Sequence, residues 1–356
     1  MLTAAPASGV ARAAARASRG GGCLVPDALA STPSAVAPGA AGIIGPMHLL
    51  IPFAAPLSDA GRQALGVLAL PQLAAWLAGA APADEDARDE ADALSLSPPH
   101  ERALARLVGL AGADGALPWA AWQAARDGVD AADHAWALLT PAHWHLGTDQ
   151  LTMRDPLDLQ LDEPGSRALL DAVRDLFETE GYAVAWGAPT RWYLAHESLA
   201  DLRSASPDRV IGRNVDPWLP PGREARRLRR LQNEVQMRLH EHPLNAAREA
   251  QGLPAVNSVW ISGCGPAQAT RWPAGLVVDD RLRRPALAED WDAWVAAWQA
   301  LDADAVARLR GAGEGATLTL CGERAALTLR AGAGSAWQRL RAHWRRADPR
   351  ALLETL

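Results

Sequence analysis

Met47-His48-Leu49-Leu50-Ile51-Pro52-Phe53 is the stretch on which the fold turns. A short apolar run closed by a proline reads as a strand, and a folded domain commonly opens on one. Upstream, residues 1–46 are Ala, Gly, Pro and Ser with Arg12, Arg16, Arg19 and the single acid Asp27. They hold no periodic apolar face. Gly20-Gly21-Gly22, Pro26, Pro33 and Pro38 interrupt every candidate for the unbroken apolar core of a signal peptide. The segment reads as a disordered or transit-like extension, and Met47 is the expected true start.

Working outward from that strand, helices and strands intermix. Residues 58–66 and 70–77 read as short helices, the second with Pro71 in its first turn and Leu70, Leu73, Ala74 and Leu77 on one face. Residues 80–93 are acidic and read as a solvated linker. Ser97-Pro98-Pro99-His100-Glu101 opens another helix, and Trp119 and Trp122 mark a further one. Residues 134–139 and 151–153 read as strands. Residues 162–180 form the clearest mid-chain helix, with Leu169, Leu170, Val173 and Phe177 at helical spacing and Gly181 as its stop. A hairpin follows around Gly187-Ala188-Pro189. Residues 204–221 form a polar loop. A long helix spans 223–241, its stripe Leu228, Leu231, Val235 and Leu239, and a shorter one spans 245–251. Residues 255–262 read as a strand entering a Gly263-Cys264-Gly265 turn, and 276–278 as another strand. In the helix at 290–301, Trp291, Trp294 and Trp298 read as core. A hairpin at 317–329 and a closing helix at 337–344 complete the chain. This mixture implies α/β or α+β. The expected division is an extension (1–46), a main domain (47–265) carrying the linker, and a C-terminal α+β portion (266–356) packed on it.

Composition narrows the chemistry. The chain has 356 residues and a net charge of −6, so no positive excess is available to bind a nucleic-acid backbone. Every basic residue is Arg, which most simply reflects the codon usage of a GC-rich genome. Without Lys there is neither a Schiff-base lysine nor a phosphate-loop lysine. Cys23, Cys264 and Cys321 make no disulfide framework, which fits a reducing, cytoplasmic setting. Nothing points to a membrane. The basic run Arg223-Glu224-Ala225-Arg226-Arg227-Leu228-Arg229-Arg230 is more simply a solvated helix face than a nucleic-acid contact.

Two constellations could carry function. His143 and His145, two apart on a strand, would share a face and, with Asp149, offer a weak metal site. Asp133-His134 is weaker still. The richer one is polar: Arg209, Arg213 and Asn214, then Asn233 and Glu234, then His242, Asn245 and Arg248, then Asn257 and Ser258. Guanidinium forks and amides of this kind bind phosphate or carboxylate. The competing reading is a buried network that pins loops to the long helix. Either reading expects Arg209, Arg213, Asn214, Asn233, Asn245, Arg248 and Asn257 to converge.

Several segments carry a resemblance: residues 47–54, Leu94-Ser95-Leu96-Ser97-Pro98-Pro99-His100-Glu101, Thr140-Pro141-Ala142-His143-Trp144, Arg209-Val210-Ile211-Gly212-Arg213-Asn214 and Leu231-Gln232-Asn233-Glu234-Val235-Gln236-Met237. Together they resemble the bacterial regulatory-protein RpfE-type family, whose members are often labelled phosphoglycerate mutase. His242-Pro243-Leu244-Asn245, Arg248-Glu249, Gly252-Leu253-Pro254, Val256-Asn257 and Ser262-Gly263-Cys264-Gly265 are similar to a segment of archaeal-type cofactor-independent phosphoglycerate mutases. The resemblance implies an alkaline-phosphatase-like mixed sheet flanked by helices, in intact or degenerate form. In that superfamily an Asp-Gly metal ligand follows the first strand. Here the strand runs into Ala54-Ala55-Pro56-Leu57-Ser58-Asp59, and the two-metal ligand set cannot be assembled in order. The expected function is a regulatory or binding protein that takes a small anionic ligand or a protein partner, without a cofactor. The alternative is an active mutase or phosphohydrolase using Mn or Zn; a nucleic-acid-linked accessory factor ranks third.

Overall fold

The computed structural model of the chain describes residues 46–130, 134–147, 150–219, 222–332 and 348–356. The opening strand, β1 (His48–Ile51), has Leu49, Leu50 and Ile51 fully buried. Alternate side chains leave a strand on opposite faces. Leu49 and Ile51 join one apolar cluster, and Leu50 joins another. Burial on both faces marks a strand covered by helices on each side.

β1 lies parallel to β10 (Leu276–Val278) and β11 (Thr317–Cys321). β11 turns back into the antiparallel β12 (Ala325–Ala331). Two short strands, β2 (Ala80–Pro82) and β3 (Arg88–Glu90), both pair antiparallel with β12. The result is a mixed six-stranded sheet, β10-β1-β11-β12-β2, with β3 also on β12.

One expectation changes here. The acidic stretch 80–93 is not a solvated linker, because its backbone completes the sheet and Ala87 is buried. Charges on an edge strand deter pairing with other chains, so acidic composition marked an outer edge and not a free segment. The sheet joins strands from both sides of residue 265. Both neighbours of β1 come from the C-terminal third, since a parallel partner requires a crossover and cannot be the next strand in sequence.

One face of this sheet is covered by α1 (Asp59–Gly66), α2 (Pro71–Leu77), α10 (Trp291–Leu301), α11 (Ala307–Gly311) and α12 (Pro349–Leu353). Ser58 caps α1 by accepting from the Gly61 amide at 3.1 Å. The start of α2 has no local side-chain cap. The carboxylate of Asp302, on the π-helical turn between α10 and α11, accepts from the Gln72 and Leu73 amides instead, at 3.0 and 2.8 Å. These amides would otherwise be orphaned. Trp294 and Trp298 are fully buried, as the spacing implies. α3 (Pro99–Val108) covers the opposite face around Leu50.

A second, antiparallel sheet has the order β7 (Ala183–Ala188), β8 (Arg191–Ala195), β4 (Ala135–Ala142), β9 (Ser258–Pro266). α5 (Glu163–Glu178) and α7 (Arg223–His240) pack on one face and α4 (Trp119–Arg126) on the other. Gly263-Cys264-Gly265 lies inside β9 and is not a turn after it. The pairing with β4 shifts register between Trp136 and Leu138, a bulge that absorbs the irregularity. Gly263 has φ +64°, and a Cβ there would stand 3.0 Å from the Ala120 amide nitrogen, so glycine lets α4 approach. Shorter elements complete the chain: β5 (Trp144–Leu146), β6 (Leu151–Met153), α6 (Pro207–Val210), α8 (Pro243–Ala250) and α9 (Arg283–Leu287). The expected helix at 337–344 and the extension 1–45 lie outside the described residues. Among the described residues, no helix is long and apolar enough to cross a membrane. The architecture is α/β, with a mixed sheet flanked by helices.

Candidate functional site

Residues 204–210, the first part of the segment read as a polar loop, are drawn into the seam between the two sheets. Ser206 caps α6 and also donates its hydroxyl to Glu101. Asp208 stands behind it. One of its carboxylate oxygens accepts from Nε and Nη2 of Arg283 at 2.9 and 2.7 Å. The other faces Nε2 of His100 at 3.2 Å. Arg283 also donates from Nη1 to Asp155 at 3.0 Å. His100, Glu101, Asp155, Asp208 and Arg283 are all buried.

Burial shifts their protonation. It pushes the His100 imidazole below its ordinary value despite Asp208, so the neutral ring donates Nε2–H to that carboxylate. Burial would raise the Asp208 carboxyl, but Arg283 and His100 overcome it and hold the group below the usual carboxylate range. Glu101 makes no direct ion pair among the described residues, and Arg209 and Arg283 only partly offset its burial. Burial, with Asp208 nearby, pushes it up to about 8, although the Ser206 hydroxyl favours the charged form. At neutral pH the centre therefore holds an ionised Asp208–Arg283 pair, with Asp155 bound to the same guanidinium, beside a protonated Glu101.

Next to this centre is a cavity of about 40 Å³, lined by Phe53, His100, Arg209, Arg213, Trp291 and Glu323 among others. It lies just past the C-terminal ends of the parallel strands β1 and β11, where open α/β sheets take their ligands. Phe53 has φ +56°, a strained left-handed conformation for a bulky residue, and its ring lies 4.9 Å from that of His100. Arg209 is buried. It donates from Nη1 to the Glu323 carbonyl at 3.0 Å and from Nη2 to Ser95 Oγ at 2.6 Å. Its Nε is buried without an acceptor among the described residues. Arg213 meets the Glu323 carboxylate at 2.7 Å, and the same carboxylate accepts from the Leu57 amide. Burial, then the like charges of Arg213 and Arg102, lowers Arg209 to about 10, so positive charge accumulates on this wall.

The remaining polar residues named from sequence do not join Arg209 and Arg213 through shared partners. Asn214 accepts from the Asp216 amide. Asn245 bridges the Leu239 and Val256 carbonyls and the Val256 amide, and Arg248 donates to the Pro254 and Leu159 carbonyls. Asn257 is paired with both backbone groups of Trp144. His242 caps α8. Ser258 accepts from Gln236, and Glu234 lies 3.8 Å from Arg230. Asn233 is exposed on α7; Gln232, one position earlier, turns inward and donates to the Val259 carbonyl. The expected convergence divides into a loop-pinning network around α8 and the arginine wall at β1. The basic run of α7 is partly neutralised, with Arg227 and Arg230 both on Glu180.

His143 donates from Nδ1 to the Ala255 carbonyl, and His145 is exposed on β5. Asp149 and Asp133 lie outside the described residues. Among the described residues, no group of three or more His, Cys, Asp or Glu could hold a metal ion. The seam residues Asp155 and Arg283 escaped the sequence reading, and His100 and Glu101 registered only as a helix start. The available signal was charge embedded in otherwise apolar segments.

No protein-family model matches the chain. A probable 2,3-bisphosphoglycerate-independent phosphoglycerate mutase of Geobacter sulfurreducens is 26% identical over 118 residues, covering 33% of this chain and 30% of that protein. The 2,3-bisphosphoglycerate-independent phosphoglycerate mutase of Methanothrix thermoacetophila is 34% identical over 67 residues, 19% of this chain and 17% of that protein. The matched stretches thus span less than a third of either relative. Among solved structures, a cofactor-independent phosphoglycerate mutase from Thermoplasma acidophilum aligns with 16% identity over 87% of this chain and 98% of its own, at a TM-score of 0.33. The PH0037 protein from Pyrococcus horikoshii aligns with 13% identity over 87% and 96%, at 0.38.

Proposed function

We propose that this chain is a binding or regulatory protein on a phosphoglycerate-mutase-like scaffold, and that it holds the head group of a small anionic ligand without turning it over. The two partial sequence matches support the scaffold. The carrying observation is the arginine wall past β1 and β11, where Arg209, beside Arg213, keeps a buried Nε without an acceptor among the described residues. A phosphate or carboxylate oxygen would satisfy that donor and offset the accumulated charge. At ~10–15 Å³ for each water-sized group, the cavity admits about three such groups, which suits a head group more than a whole sugar phosphate.

The loop after β1 supports the non-catalytic reading by what it does. The Phe53 carbonyl accepts from the Trp294 indole and the Ala54 carbonyl from the Trp298 indole, each at 3.1 Å. The Ala54 amide donates to the Cys321 carbonyl at 2.7 Å. Its polar groups serve the fold, and no carboxylate occurs before Asp59, in the first turn of α1. The regulatory role implied by the RpfE-type resemblance fits such a site. Calorimetric titration with inorganic phosphate and 3-phosphoglycerate tests the reading, alongside a mutase assay with added Mn²⁺ or Zn²⁺. Binding that Arg213→Ala weakens at least about tenfold is expected, with the melting temperature kept and no turnover. Turnover with either metal would make the chain an enzyme, and absence of binding by both anions would remove the anion site.

A further inference from the structure

Asp208 also borders a second, partly open cavity beside α3, β4 and β9. It measures about 60 Å³, and its walls include Leu117, Trp119, Leu138, Pro156, Leu157 and Ser262. We propose that this cavity is a separate binding site for a small, uncharged, mainly hydrocarbon molecule that carries one oxygen acceptor, of the ketone, ether or alcohol class.

Three observations select that chemistry. The walls are mostly apolar, so a hydrocarbon body replaces water favourably. The indole N–H of Trp119 and the hydroxyl of Ser262 on this wall are buried and have no hydrogen-bond partner among the described residues. A buried donor left unmade costs about 1–3 kcal/mol, and a ligand oxygen would recover part of this. Finally, the charges on the wall are already matched. Asp208 and Arg283 hold each other, Arg191 is paired with Asp127 at 2.8 Å, and Glu101 is protonated at neutral pH. A charged ligand would find no counter-ion and would be buried unpaired. This sets the cavity apart from the arginine-walled one, although Asp208 borders both. Its volume admits about four or five water-sized groups, the size of a four-carbon ketone.

The full chain, ¹⁵N-labelled, is titrated with 2-butanone and, as the charged match, with butyrate, while the Trp119 indole N–H resonance is followed and assigned by its loss in Trp119→Phe. We expect 2-butanone to shift that resonance saturably and butyrate to leave it unmoved, with inorganic phosphate not competing. Ser262→Ala and Trp119→Phe should each weaken 2-butanone binding about three- to tenfold, read by ligand-observed NMR, as for loss of one hydrogen bond. Ser262→Ala alone suffices if Trp119→Phe does not fold. An unmoved indole resonance up to the solubility of 2-butanone would mean that the cavity holds only water, and would overturn the site. So would equal binding of butyrate, or affinities that neither substitution changes. None of these outcomes bears on phosphate binding at Arg213, so the two sites stand or fall separately.

Discussion

Trp298 and Arg283 are both buried, yet the regions around them are held together by opposite means. Around Trp298, residues from β1, β11 and α10 pack as an apolar cluster, and the indole N–H groups of Trp294 and Trp298 are met by main-chain carbonyls. Around Arg283, three segments distant in sequence supply carboxylates and an imidazole whose charges must match. The first region depends on volume, the second on protonation and complete pairing. Burial alone therefore does not say how a site will respond to change. Removing a methylene from the core leaves a gap, whereas removing a charge from the seam leaves its partner buried and uncompensated.

The largest effects probe that contrast directly. Trp298→Ala should cost about 3–5 kcal/mol in urea unfolding, with little pH dependence, since it deletes volume and one hydrogen bond. A loss below about 1 kcal/mol would mean that the cluster repacks freely. Arg283→Met should cost a similar ~3–5 kcal/mol, but by stranding Asp208 and taking the guanidinium donor from Asp155. Neutralising one stranded partner, with Asp208→Asn added, should recover part of that loss. If the double variant is no better than the single one, charge matching is not what holds the seam.

A smaller effect isolates protonation. The folded Glu101 titrates near 8, above its ordinary 4.5, so the wild type loses stability as pH rises from about 4.5 to about 8 and is level beyond. Glu101→Gln lacks that titration. Its stability relative to wild type should increase across the same window, while the opposite contribution of His100 is common to both proteins and cancels. Urea midpoints at pH 5 and pH 8 measure this, and a constant difference would show that Glu101 is not held neutral. The smallest effect is expected at the sheet edge. Asp89→Ala removes the acceptor of Arg102 (3.0 Å) and Arg106 (2.6 Å) and should cost about 1 kcal/mol. No change there would return residues 80–93 to the status of a loosely attached segment.

Elements with a local rule were legible in the sequence. The stripe Leu169, Leu170, Val173 and Phe177 makes α5, and the tryptophan spacing makes the buried side of α10, because helical periodicity is set by residues within two turns of one another. The strand at 48–51 and the hairpins at 183–195 and 317–331 follow from apolar runs and turn residues. Pairing across distance was not legible. The sequence contains the acidic stretch 80–93 but not the open edge of β12 that receives it. It contains Arg283, but Asp208 is 75 residues away and Asp155 is 128 away. Nor does any periodicity separate Arg209, which reaches the cavity past β1, from Arg248, which pins the loop after α8. By itself the sequence determined where helices and strands form, the α/β class, and a polar, arginine-bearing segment at 208–214. The tertiary structure alone decided which charges meet and which cavity each guanidinium lines. Local periodicity depends on the chain's own geometry, whereas burial and charge pairing depend on which distant segments the whole fold brings to the same place.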